Sequence, residues 1–166
     1  MKKTRNYLAG YSLPELLLVL SILGVLFSIS TINLFGSYHK NTLNTTVATF
    51  ISDLKHQQTK AMAGDNEGQS NNDDYGTYFP PDGLSYILFK GSTYDPAEPT
   101  NFQVRLNGDL QFSSILVPGS EIIFAQGNGE ILNYNAGFDN ITVRNIRTDE
   151  TKTIRINQVG TIINIY

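Results

Sequence analysis

The chain has 166 residues, is 40% hydrophobic and carries a formal net charge of −3, a size that suits one globular body with an attachment and excludes a multidomain enzyme. It contains no cysteine, which excludes disulfide frameworks, thiolate zinc sites and thiol nucleophiles. Three of its twelve basic residues, Lys2, Lys3 and Arg5, precede residue 11; the remainder holds nine basic against fifteen acidic residues, a formal −6 that opposes general affinity for nucleic-acid phosphates.

The first ten residues, MKKTRNYLAG, form a short basic leader. Leu16 to Phe35 is then a charge-free apolar run of 20 residues, which as a helix reaches roughly 30 Å, the thickness of a bilayer core. The basic leader predicts a cytoplasmic amino terminus and an extracytoplasmic carboxy-terminal body. A secretory signal would show small residues after its apolar region, whereas here Gly10 and Tyr11 precede it. Glu15 stands at the entrance of the run, where an ionised carboxylate is costly unless it finds a partner.

A basic leader ending in Gly10, then Tyr11-Ser12-Leu13-Pro14-Glu15 and an unbroken apolar segment, resembles the class III signal of type IV pilins and type II secretion pseudopilins. The resemblance implies cleavage by a prepilin peptidase between Gly10 and Tyr11, and methylation of the new amino terminus at Tyr11. It also implies storage as a single-pass protein of the bacterial inner membrane, and partnership with other pilins or pseudopilins in a pilus or pseudopilus. Tyr11 replaces the usual phenylalanine and Pro14 a common aliphatic residue; the first keeps the aromatic bulk, and the second suits a first helical turn. In the family picture Glu15 of one subunit meets the terminal amine of its neighbour. At about 4 Å and an effective dielectric near 20 that attraction is roughly 4 kcal/mol, comparable to the ~2.5 to 3.5 kcal/mol cost of inserting a charged side chain.

Beyond Phe35 the sequence predicts a helix continuing to about Met62 and closed by Gly64, with Leu43, Val47, Phe50, Ile51, Leu54 and Ala61 as one apolar stripe. Asn44, Thr45, Ser52, Asp53, Lys55 and Gln57 are expected on the water-facing side. Residues 64–83, rich in Gly, Asn and Asp, read as a long polar loop. Its acids Asp65, Glu67, Asp73 and Asp74 supply hard oxygen ligands but lack calcium-loop spacing, so a solvated loop is expected.

From Leu84 the period becomes two. Strands are predicted over 85–90, 102–106, 110–117, 121–125, 130–132, 141–146, 152–157 and 161–166, with tight turns at Asn107-Gly108, Thr148-Asp149-Glu150 and Val159-Gly160. The segment EIIFAQGNGEI and the tail from Ile141 to Tyr166 resemble the carboxy-terminal half of GspH/FimT-type minor pseudopilins. The predicted fold class is therefore α+β, a long amino-terminal helix packed on a carboxy-terminal antiparallel sheet domain. Its expected parts are a leader (1–10), a transmembrane and assembly helix (11–35), an amphipathic continuation (36–63) and a β-rich body (64–166).

No phosphate loop, nucleophile elbow or metal-ligand spacing is present in the sequence, so neither catalytic residues nor cofactors are expected. His39 and His56 read as solvated side chains on the helix. A rival reading is a DNA-binding minor pilin in which Arg144, Arg147, Lys152 and Arg155, bracketing one hairpin, form a phosphate-binding patch. Asp149 and Glu150 at the hairpin tip oppose it.

Overall fold

The computed structural model describes residues 12–65 and 73–166, with side chains described throughout these except at 29–41. The chain divides into two compact units, Met1–Tyr38 and His39–Tyr166. The long helix α1 spans Leu13–Ala63, as its apolar periodicity predicts. It ends where Gly64 adopts a φ of 65°. Gly64 N–H then donates to the Ala61 carbonyl at 3.2 Å and Asp65 N–H to the Lys60 carbonyl at 3.1 Å, which satisfies two carbonyls that the helix leaves open.

Among the described residues of the second unit eight strands form two antiparallel four-stranded sheets. The first contains β1 (Tyr75–Tyr78), β2 (Ser85–Lys90), β3 (Phe102–Arg105) and β5 (Glu121–Phe124), in the order β3-β2-β1-β5. The second contains β4 (Leu110–Leu116), β6 (Asn140–Asn145), β7 (Thr151–Ile156) and β8 (Ile162–Ile165), in the order β4-β6-β7-β8. The helix stripe Leu43, Val47, Phe50 and Leu54 is buried, with Ile51 half-buried beside it. It shares one core with Tyr75, Tyr86, Ile122 and Phe124 of the first sheet and Leu110, Phe112, Ile141, Val143, Ile154 and Ile156 of the second. Phe50 is the hub: its ring meets Phe79, Tyr86 and Phe112 edge to face at centroid distances of 5.7, 5.1 and 5.6 Å.

Four expectations need correction. The 64–83 segment is not all loop, because Tyr75–Tyr78 is the strand between β2 and β5. Asn107-Gly108 does not close a hairpin, since β3 and β4 belong to different sheets. Leu110 N–H donates to the Asn107 carbonyl at 2.8 Å and Gly108 is not among the positive-φ glycines, so the turn carries the chain between sheets without the left-handed pair that hairpin turns need.

Residues 130–132 form only an isolated bridge, Phe124 with Ile131. Ile131 N–H donates to the Gln158 carbonyl and Leu132 N–H to the Ile123 carbonyl, so the segment ties the sheets together instead of extending either. Gln57, assigned to water, is buried, and its amide donates to the Gly76 carbonyl at 2.9 Å and the Phe89 carbonyl at 3.4 Å. A polar side chain inside a core is retained when its hydrogen bonds are made, and this one fixes helix to sheet.

The neighbouring Gln58 amide donates to the carbonyls of Gly129 and Val159 at 2.9 and 2.8 Å, holding two turns against the helix. The second of these turns is the predicted one, with Gly160 at a φ of 72°. A Cβ there would lie 2.9 Å from the Phe124 ring.

Tyr86 makes a short hydrogen bond from its hydroxyl to the Asp53 carboxylate. Burial, then the Asp53 bond and charge, push its phenol well above the ordinary range. Ionisation is therefore harder in the folded chain, so this group's contribution is fully present below about pH 10 and is lost as pH rises beyond it. Tyr86→Phe is expected to cost about 1 to 2 kcal/mol at neutral pH. It should also flatten the decline in urea midpoint between about pH 9 and pH 11; an unchanged slope would show that another group sets it.

Candidate assembly surfaces

The first unit offers an apolar helix with no covering on any described side. From Leu13 to Phe27 every large hydrophobic residue is exposed, Phe27 at 70%. Apolarity all round is the pattern of a helix destined for lipid or for other helices. Ser21, one of its few polar groups, returns its hydroxyl to the Leu17 carbonyl at 2.7 Å and so leaves no donor unsatisfied. Among the described residues no helix is long and apolar enough to cross a membrane. The described side chains of the Leu16–Phe35 run stop at Ser28, and the remainder lies outside them.

Glu15 is exposed in the first turn of α1. Its N–H and that of Leu16 donate to the Ser12 carbonyl at 3.0 and 3.2 Å, so the helix starts right behind Ser12 and the carboxylate sits at its positive end. Ser12 and Glu15 have the spacing of a capping box, a signal the sequence carries alongside the resemblance. Gly10 and Tyr11, the expected cleavage and methylation positions, lie outside the described residues, as does Glu67. The side chain of His39 is likewise outside them, while His56 is exposed on α1.

The basic hairpin residues are not gathered into one patch. The Nε of Arg144 donates to Asp149 at 2.6 Å, that of Arg147 to Asp109 at 2.7 Å and that of Arg155 to Asp139 at 3.0 Å. Asp139 is buried, and its bond, followed by its charge, raises the Arg155 pKa. Arg144 and Arg155 alternate with the buried residues Val143, Asn145, Ile154 and Ile156, so both lie on the outer face of their sheet, four register positions apart. That is roughly 13 Å along the strands. Lys152 falls on the other face, beside Leu43 and Asn44 of α1. Three of the four charges are thus matched by aspartates and the fourth points elsewhere.

Of the loop acids, Asp73 accepts the N–H of Asp74 at 3.0 Å and Asp74 accepts the N–H of Gln126 at 2.8 Å. These carboxylates cap backbone groups, and among the described residues no three potential ligands gather around a metal position.

One surface escaped sequence reasoning. β8 is one of the two edge strands of the second sheet, and Ile163 and Ile165 on it are 55% and 42% exposed. The signal was the absence of any charge in VGTIINIY.

No family model matches the chain. No curated protein matches it. Among solved structures it is similar to the minor pseudopilin EpsH from the Type 2 Secretion System of Vibrio cholerae, with 15% identity over 75% of this chain and 95% of that one and a TM-score of 0.49.

Proposed function

We propose that the chain is a pilin-like structural subunit, cleaved after Gly10 by a prepilin peptidase, methylated at Tyr11, anchored by its apolar helix and assembled with other pilins or pseudopilins. The observation that carries this reading is the helix from Leu13, apolar on every described side, with the acid Glu15 in its first turn. A lone carboxylate in such a place is favourable only when a cation joins it. The amine freed at Tyr11 of a neighbouring subunit is such a cation. The α+β body, with its helix buried against two sheets, supports the same role. A secretion pseudopilus and a type IV pilus are both compatible with these features. The nucleic-acid alternative draws no support from a hairpin whose three arginines are paired with aspartates.

Mass spectrometry of the mature protein tests the first half of the proposal; the expected amino terminus is a methylated Tyr11, and intact leader in assembled fibres would refute it. For the second half, Glu15→Ala is expected to be cleaved and inserted normally yet recovered in fibres at least about tenfold less, as a loss of more than about 1.4 kcal/mol per contact requires. Wild-type recovery would remove the charge-pair argument.

A further inference from the structure

Asn107 lies in the turn that hands the chain from the first sheet to the second. We propose that it is a site of self-modification: the Gly108 backbone nitrogen attacks its carboxamide and converts it to aspartate and isoaspartate, while the fold protects the other Asn-Gly pair of the sequence, Asn128-Gly129. This chemistry does not depend on the assembly role.

Asparagine is a thermolabile residue, and the reaction consumes nothing but water. The Gly108 N–H loses its proton and the nitrogen bonds to Cγ of Asn107; the Cγ–Nδ2 bond breaks, and Nδ2 leaves as ammonia with that proton. The product is a cyclic succinimide. Water then opens it at either carbonyl. Cleavage of the new Cγ–N bond leaves an aspartate, and cleavage of the original peptide bond leaves an isoaspartate whose main chain runs through Cβ. Water is taken up, ammonia is released, and nothing is oxidised or reduced.

Ring closure needs an accessible carboxamide, a following nitrogen with no hydrogen bond to surrender, and a backbone free to rotate. Asn107 and Gly108 are both exposed. Among the described residues the Gly108 N–H donates to no backbone carbonyl. A Cβ on Gly108 would meet nothing within 4 Å, so open space surrounds the peptide. Oδ1 of Asn107 lies 3.5 Å from the Asp109 nitrogen, the outer limit of a hydrogen bond, which turns the carboxamide forward without gripping it. The ends of the turn are fixed instead: Leu106 N–H donates to the Leu84 carbonyl at 2.9 Å and Leu110 N–H to the Asn107 carbonyl at 2.8 Å.

Asn128-Gly129 has the same two residues and is held at every one of these points. Its Oδ1 accepts the Glu130 N–H at 2.9 Å. Gly129 is buried, its N–H donates to the Ala125 carbonyl at 2.9 Å, and its own carbonyl accepts the Gln58 amide at 2.9 Å. A Cβ there would lie 2.9 Å from the Met62 sulfur, so the peptide is packed against α1. The nitrogen is both engaged and enclosed. At Asn107 the isoaspartyl product would take the carbonyl that Leu110 N–H uses out of the main chain, so the change reaches the link between the sheets.

Peptide mapping by mass spectrometry, on full-length protein held in detergent at mildly alkaline pH, tests this. Conversion at 107 is expected to run at least about tenfold faster than at 128, where hydrogen bonds must open first. In urea the two rates should converge, since the fold is what separates them. Gly108→Ala places a methyl group in open space at a position without positive φ. It should therefore keep the wild-type urea midpoint and slow conversion at 107 at least about fivefold by restricting the backbone. Equal rates at 107 and 128 in the folded protein would overturn the inference, as would a difference that persists in urea or a Gly108→Ala protein that converts like wild type. A folded chain that stays intact at 107 while the unfolded chain reacts would overturn it too, because the turn would then be holding the carboxamide shut.

Discussion

Phe50→Ala is expected to lower the stability of the body by about 3 to 5 kcal/mol, the range for removing a large aromatic side chain from a packed core. Phe50 is fully buried, and its ring is the contact through which α1 meets Phe79, Tyr86 and Phe112 at once. Phe79 and Phe112 also touch each other, at 5.2 Å between centroids, so the three surrounding rings support one another and cannot collapse freely into the space left behind. A cavity that persists adds to the lost transfer energy. For a domain whose whole stability is about 5 to 15 kcal/mol, this brings it near its threshold.

Urea unfolding of the full-length protein in detergent, followed by tyrosine fluorescence, measures the change. Phe50→Leu, which keeps most of the volume, should cost less than half as much. A midpoint for Phe50→Ala within error of wild type would mean that the helix does not anchor the two sheets.

How much of this was legible beforehand follows from the range of each signal. The stripe from Leu43 to Ala61 repeats with the helical period over five turns, so both the helix and its buried face were readable, and Gly64 marked its end. Strands β2 to β8 fall in short runs rich in β-branched and aromatic side chains and bounded by turn residues, which local pattern detects. β1 was hidden, because Tyr-Gly-Thr-Tyr has a glycine at its second place and sits beside a run of Asn and Asp.

Gln57 was misplaced for a related reason. Its side chain is polar, and only the tertiary arrangement brings the Gly76 and Phe89 carbonyls to it. The Asn107-Gly108 turn looked like a hairpin because turn chemistry is local, whereas the partition of strands between two sheets is not. The place of Glu15 at the start of α1 was readable from the local sequence, while the edge position of β8 depends on which strands pair.

Gly76 turns the hidden strand into a second prediction. It pairs laterally with Phe89 of β2 and Ile123 of β5, in the middle of the first sheet. Its missing side chain lets the Phe89 ring lean across β1, and that ring packs onward against Tyr94, which in turn stacks on Tyr78 at 4.2 Å. A Cβ built on residue 76 would lie 2.7 Å from the Phe89 Cε1 and 2.7 Å from the Ile122 carbonyl oxygen, with the end of the Phe89 ring closer still. The ring can swing away only by giving up its buried place, and the carbonyl is fixed by strand pairing. Gly76 has no positive φ, so alanine meets no backbone penalty and the conflict is steric.

Gly76→Ala is therefore expected to cost about 2 to 3 kcal/mol by overpacking, although alanine is the better residue for a strand by propensity. Adding Phe89→Leu should recover part of that loss, giving a coupling of about 1 kcal/mol between the two sites, because the shorter side chain vacates one of the two obstructions and leaves the Ile122 carbonyl. Urea midpoints of the two single variants and the double variant provide the measurement. A neutral Gly76→Ala, or strictly additive effects, would place the Phe89 ring somewhere other than across β1.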